Sequence, residues 1–140
     1  MRNKKKYLGK RILAGIIDYS LVLISMFTMI YLFGVPNNDG GYSIEGLPAF
    51  SVFVIWFFLT IGMEQLFGAT IGNILNNIKP SSITGDGLKD TISLSQSIKR
   101  HLLDLIDMSF FGLIGVILIS NTENNQRLGD LWAKTKIVEV

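Results

Sequence analysis

The stretch ILAGIIDYSLVLISMFTMIYLF, Ile12 to Phe33, holds twenty-two residues and a single charge, Asp18. As a helix rising about 1.5 Å per residue, it crosses a hydrocarbon core roughly 30 Å thick, so it reads as a transmembrane span. A basic start before an apolar run is also the shape of a signal peptide. Here the run is too long, carries Asp18 and ends in Phe33-Gly34-Val35-Pro36 without a small-x-small cleavage site, so an uncleaved anchor is the better reading.

Downstream, residues 34 to 48 are rich in Gly, Asn and Pro, carry Asp39 and Glu45, and lack Lys and Arg, as expected of a short turn on the outer side. A second apolar segment covers about residues 49–67, uncharged until Glu64, and reads as the returning span. Upstream lie six of the thirteen Lys and Arg, between Arg2 and Arg11; four more fall between Lys79 and Arg100 and three between Arg127 and Lys136. Basic residues collect on the cytoplasmic side of span ends, which puts the N-terminus in the cytoplasm. Residues 68–98 then form a cytoplasmic loop with short structured pieces, and with turn signals at Lys79-Pro80-Ser81-Ser82 and Gly85-Asp86-Gly87. Leu94 to Arg100 looks like the start of a helix that enters the membrane.

The third apolar segment, about residues 99–120, is broken early by Asp104 and Asp107, leaving twelve uninterrupted residues from Met108 to Ile119. As a helix these reach about 18 Å, short of a span. Two readings stand: a tilted third span, or a re-entrant hairpin bending near Ser109 to Gly115. The hairpin keeps Arg127, Lys134 and Lys136 on the cytoplasmic side, and the charge rule favours it. In the tail, 121–140, the alternation KTKIVEV from Lys134 suggests a short strand. The expected fold is therefore one domain over 1–140, an all-α membrane protein. It is a small helical bundle with two full transmembrane spans, a third short or re-entrant helical hairpin, and a short cytoplasmic C-terminal strand.

Composition agrees. Hydrophobic residues make up 49% of the chain and charged residues 17%, whereas a soluble domain carries charge on about a quarter to a third of its surface positions. There is no cysteine and one histidine, His101, so disulfides, thiolate metal sites and His-rich metal sites are excluded. A net charge of +2 gives no basic face for nucleic acid. No Gly-rich phosphate loop, His-containing triad or metal-ligand spacing is present, so catalysis and a resident cofactor are not expected. Trp56, Trp132 and the tyrosines read as interface and packing aromatics.

Four motifs in order carry a family resemblance: Arg11 with Asp18; Glu64-Gln65-Leu66-Phe67-Gly68-Ala69-Thr70-Ile71-Gly72; Arg100 to Asp107; and Gln126-Arg127-Leu128-Gly129-Asp130-Leu131 followed by Ala133 and Thr135. Over nearly its whole length the chain resembles RDD family membrane proteins, whose one arginine and two aspartates match Arg11, Asp18 and Asp130. Two positions depart from the pattern. Asn76-Asn77-Ile78-Lys79-Pro80 stands where the family runs into a valine-rich strand, which puts a strand there in doubt because Pro80 cannot donate to a ladder. Gly129 stands where many relatives have histidine. The resemblance implies a polytopic membrane protein, with solute transport proposed for the family and cation/proton antiport suggested for some members.

Positions 11, 14, 15, 18, 22 and 25 share one helical face, Arg-Ala-Gly-Asp-Val-Ser, opposite a lipid face of Leu13, Ile16, Leu23, Ile24 and Phe27. An ionised Asp18 about 10 Å into the bilayer costs several kcal/mol unless paired, protonated or hydrated. It is either a cation or proton site, or half of a packing pair with Arg127, Arg100 or Arg11. The spacing of Arg100 and Asp107, RHLLDLID, repeats that of Arg11 and Asp18, RILAGIID, and hints at an internal duplication. Asp104, three residues before Asp107, could share a proton or cation with it, or both could be solvated at the interface. Glu64 could face Asp18 or be a bland interfacial acid. The Gly68-x-x-x-Gly72 pair permits close helix contact, weakly suggestive of dimerisation. Arg127 and Asp130 could pair locally or meet Asp18 or Arg11.

Two functions compete at this level. One is an oligomeric cation/proton transporter of the cell membrane working through Asp18, with Asp104 and Asp107 as secondary acids; two spans and a short segment enclose no pathway, so it would need a homo-oligomer or a partner membrane protein. The other is a non-transporting scaffold or accessory subunit in which Arg11, Asp18, Arg127 and Asp130 form a structural polar network. In both, the lipid bilayer is the surrounding partner and the C-terminus is cytoplasmic.

Overall fold

The structure is a computed structural model that describes the backbone of residues 2–84, 87–107 and 112–140; the side chains of 2–7, 84, 105 and 107 lie outside the description. Helix α1 (Arg2–Phe33) runs without a break for 32 residues, since nothing between Arg2 and Phe33 is proline. It ends where Gly34 and Pro36 stop it, and a two-strand ribbon, β1 (Val35–Pro36) with β2 (Tyr42–Ser43), turns the chain. The turn is held by the Asn37 side chain, which accepts from the Asp39 and Gly41 backbone N–H groups. Helix α2 (Gly46–Phe57) then continues through a π-helical turn, Phe58–Gly62, into α3 (Met63–Phe67).

Leu8–Phe33 and Gly46–Phe67 are both long and apolar enough to cross a membrane. The lipid face expected of α1 is exposed at all five positions, Leu13 to Phe27. Burial is inverted relative to a water-soluble core: the fully buried set contains more polar and charged side chains than apolar ones, among them Arg100, Asp130, Ser97 and Thr135.

After Gly68, at φ +79°, closes α3, the chain forms α4 (Ile71–Leu75), β3 (Ile78–Thr84), β4 (Gly87–Lys89) and α5 (Leu94–Leu102). Short helices α6 (Asp104–Asp107), α7 (Leu113–Asn121) and α8 (Leu128–Ala133) follow, and β5 (Thr135–Glu139) ends the chain. The antiparallel sheet has the order β4-β3-β5.

Three expectations change here. The protein is mostly helical but not all-α, because it carries two small sheets. The loop expected over 68–98 with short structured pieces is mostly regular, with α4, β3, β4 and the start of α5 at Leu94. A strand does form through Pro80. Ladder bonds run from Val140 N–H to Asn77 C=O and from Ile83 N–H to Lys134 C=O, so odd positions of β3 bond to β5 and Pro80 falls between them. Its missing N–H points to the other side, where β4 reaches only as far as Ser82. The C-terminal strand forms as expected. In the third segment α7 has nine residues, about 13 Å of helix, which is no span. The expected bend near Ser109 falls partly on residues 108–111, outside the described residues.

Candidate functional site

At one end of the bundle the helices meet in a buried chain of charges that alternates in sign along its length. Asp130, in the first turn of α8, is wholly buried between two arginines from different helices. Arg11 on α1 donates through Nη2 to Oδ2 at 2.5 Å, and Arg100 on α5 donates through Nη1 to Oδ1. Arg100 continues to Glu64 Oε1 through Nη2 at 3.2 Å and Nε at 3.3 Å. His101 lies between Glu64 Oε1, 3.2 Å from Nε2, and Asp104 Oδ2, 2.6 Å from Nδ1. Asp104 Oδ1 is 3.1 Å from Arg127 Nη1, and the Arg127 backbone N–H donates back to Asp130 Oδ2 at 3.0 Å, closing the chain into a ring. Hydroxyls fill remaining valences: Ser97 donates to Glu64 Oε2 at 2.6 Å, and Thr135 Oγ1 accepts from Arg100 at 3.1 Å.

Local sequence places each member. Ser93 and Gln96 form a capping box that starts α5, so Ser97, Arg100, His101 and, past the helix end, Asp104 turn inward together. Gln96 also donates to Ser82 Oγ and Ala133 C=O, fastening the sheet to the helices. Gly129 lets α8 approach α5, since a Cβ there would stand 2.3 Å from the Arg100 carbonyl oxygen. Outside the spans, burial opposes charge on Asp130, yet Arg100 and Arg11 hold its carboxyl well below the usual range. Burial opposes charge on His101 too, but Glu64 and Asp104 win and push it up to about 9.

Asp18 is held differently. Its Oδ2 accepts from Thr70 Oγ1 and its Oδ1 from the Gly72 backbone N–H, both at 2.7 Å. Thr70 also caps α4 by accepting from Asn73 N–H. A Cβ at Gly72 would lie 2.1 Å from the Ala14 carbonyl oxygen, so glycine is what lets α4 close on α1. Among the described residues no Lys, Arg or His comes within ion-pair distance of Asp18, whereas Glu64, Asp104 and Asp130 all have cationic partners. Beside it is a cavity of about 50 Å³, lined by Asp18, Tyr19, Thr60, Asn73, His101 and Asp104 among others. The π-helical turn that buries Thr60 toward α1 shapes one wall.

Of the eight expected site residues, Arg11, Glu64, Arg100, Asp104, Arg127 and Asp130 share the ring and Asp18 adjoins it. Asp107 ends α6, but its side chain lies outside the described residues. Several expected pairings are corrected. Asp18 comes within ion-pair distance of neither Arg127, Arg100 nor Arg11, and its two oxygens accept from Thr70 and Gly72 instead. Glu64 is no bland interfacial acid, being 2% exposed. Asp104 is buried rather than solvated, and the Arg127 side chain turns to it instead of to Asp130. Within the chain, Gly72 lets α4 close on α1 and Gly68 takes the left-handed φ that ends α3. The echo between RILAGIID and RHLLDLID has a counterpart in space, since Arg11 and Arg100 converge on the one Asp130 carboxylate.

The residue that sequence reasoning missed is His101. Its signal was its place between Arg100 and Asp104, one turn from the acid it bonds. Thr70, Ser97 and Thr135 gave none, because a neutral hydroxyl shows its role only once its partner is placed.

No curated protein and no solved structure matches the chain. The family model described as RDD family matches residues 7–134, which takes in both apolar stretches, the charged ring and Asp18. The chain belongs to the RDD family.

Proposed function

We propose that the chain is a transporter subunit that exchanges a proton for a small monovalent cation beside Asp18. The observation that carries this reading is that the half-buried Asp18, unlike the buried acids Glu64, Asp104 and Asp130, is matched by neutral donors, and that it borders a cavity. With His101 protonated, the ring holds four cations, Arg11, Arg100, Arg127 and His101, against three anions, Glu64, Asp104 and Asp130. Asp18 supplies the fourth negative charge across the cavity. The group is then neutral, which suits a low-dielectric site. Asp18 carries a proton in one state and, ionised, faces a cation in the other, so the entering cation replaces the proton that leaves, the net charge is the same in both states, and exchange is one for one. The cavity has room for about one small ion with a water or two.

In this reading the Arg11 end of the spans faces the cytoplasm. The segment between Asp104 and Arg127 is re-entrant, its two ends held together by their ion pair. A homo-oligomer or partner membrane protein completes the pathway. A second reading, a non-transporting scaffold, is favoured by the completeness of the ring, whose members all have opposite charges beside them.

Purified protein in proteoliposomes with an internal pH-sensitive dye, challenged with sodium, potassium and lithium gradients, separates the two. Cation-dependent proton movement in wild type, absent in empty vesicles and lost in a folded Asp18→Asn variant, is the expected result. Identical traces from wild type and empty vesicles under every gradient would overturn exchange and leave the scaffold.

A further inference from the structure

Helix α5 and its continuation α6 are amphipathic the wrong way round for water. Ser97, Arg100, His101 and Asp104 face inward and are buried, with Arg100 1% exposed and Asp104 5%. The opposite side carries Leu94, Ile98, Leu102 and Ile106 at four-residue spacing, with Leu94 51%, Leu102 53% and Ile106 46% exposed. The four-residue spacing brings these to one side, so Leu94 and Leu102 on α5 and Ile106 just past the turn at Leu103 line an apolar edge. In water that edge would cost free energy in proportion to its area while the charges it shields were being desolvated.

Its location says what covers it. Helix α5 packs against Phe58–Gly62 and Met63–Phe67, the last turns of the second apolar helix, where Leu66 and Phe67 are also exposed. The apolar edge therefore continues the outward surface of a helix built to face acyl chains. At the rim of the edge the Lys99 ammonium stands 5.8 Å from the ring centre of Trp132, which is half exposed on α8. A tryptophan beside a lysine suits the level where hydrocarbon gives way to headgroups: the indole sits at the boundary and the ammonium reaches an anionic phosphate.

We infer that α5 and α6 lie in the plane of the membrane interface, with phospholipid acyl chains covering Leu94, Leu102 and Ile106 and the Lys99–Trp132 pair at headgroup level. This makes the segment a third membrane contact that crosses nothing. It explains how a ring of buried charges sits beside the bilayer without exposure: α5 turns its polar face to the ring and its apolar face to lipid. The inference rests on the two apolar helices and on burial, and stands whether or not the chain transports anything.

The chain has no cysteine, so single cysteines can be labelled without background. Leu102→Cys, Ile106→Cys and, as a control on the exposed β4 strand, Lys89→Cys would each carry an environment-sensitive fluorophore in the full-length protein. The vesicles would be phosphatidylcholine with phosphatidylglycerol. Nitroxides on the acyl chains are expected to quench the labels at 102 and 106 several-fold more than the label at 89, while aqueous iodide shows the reverse order. Iodide quenching at 102 and 106 equal to that at 89 would overturn the proposal. So would protection from both quenchers together with disulfide-linked dimers through Leu102→Cys, which would mean that a second copy covers the edge. Two labelled positions keep the test decisive should one variant misfold.

Discussion

Asp130 is wholly buried on α8 and Asp18 half-buried on α1, and the structure treats the two aspartates oppositely. Asp130 accepts from two guanidinium groups and a backbone N–H. Asp18 accepts from a hydroxyl and a backbone N–H and borders open space. The first joins α1, α5 and α8 through its cationic partners; the second has neutral donors alone. A motif of identical side chains can thus divide its work, and the division is read from partners rather than from residue type.

The largest test of that contrast is to remove the matched charge. Asp130→Ala leaves Arg11 and Arg100 buried and facing each other, a loss of about 3–5 kcal/mol by analogy with other broken buried pairs. Thermal unfolding in detergent is expected to show a large drop or no folded protein. An unfolding midpoint close to wild type would mean that the ring is not what joins the helices.

Next in size is steric. At Gly72 an added Cβ meets the Ala14 backbone oxygen, which no side-chain motion can relieve. Gly72→Ala is expected to destabilise by roughly 1–3 kcal/mol and to pull the Gly72 N–H away from Asp18, giving a lower unfolding midpoint and altered solvent protection at Thr70 and Gly72 by hydrogen exchange. Unchanged protection would show that α4 does not need this close approach.

A pH test addresses the ring without changing its shape. His101 rises from the ordinary 6.5 to about 9, with Glu64 and Asp104 facing its two nitrogens. A group raised in the folded state contributes fully below its unfolded value and loses that contribution as pH rises through its folded value. Stability is therefore expected to fall as pH climbs from about 6.5 through about 9, and the fall should be shallower in His101→Gln. An identical pH profile in the variant would remove His101 from the account.

How much of this could be read in the sequence differs between the apolar and polar halves. The spans were legible because bilayer thickness sets a length and composition that Ile12 to Phe33 meets without help from tertiary contacts. The C-terminal strand was legible by its alternation. Strand β3 was not, because its Pro80 argued against it and only the register with β5, together with the shortness of β4, shows that its missing donor costs nothing. The site residues could be listed, since charges beside apolar runs stand out. Their pairing could not, because Arg11 and Asp130 lie far apart in the chain and the sequence offers Arg11 several acids. Asp18 shows the limit most clearly: its donors are a threonine and a glycine N–H, neither of which announces itself.

The smallest expected change in stability is also the sharpest test of the comparison. In Asp18→Asn the amide oxygen can still accept from Thr70 or Gly72, and no cation is left unpaired, so a cost of about 1 kcal/mol is expected, well below that of Asp130→Ala. If the chamber works by offering an unmatched charge, this nearly silent substitution abolishes cation-dependent proton movement in proteoliposomes, because an amide can neither exchange a proton there nor neutralise a cation. Asp18→Glu keeps the charge but moves the carboxylate along the cavity, and is expected to retain exchange at a reduced rate. Should Asp18→Asn instead unfold the protein as thoroughly as Asp130→Ala, the two aspartates would be doing the same structural work and the distinction drawn from their partners would fail.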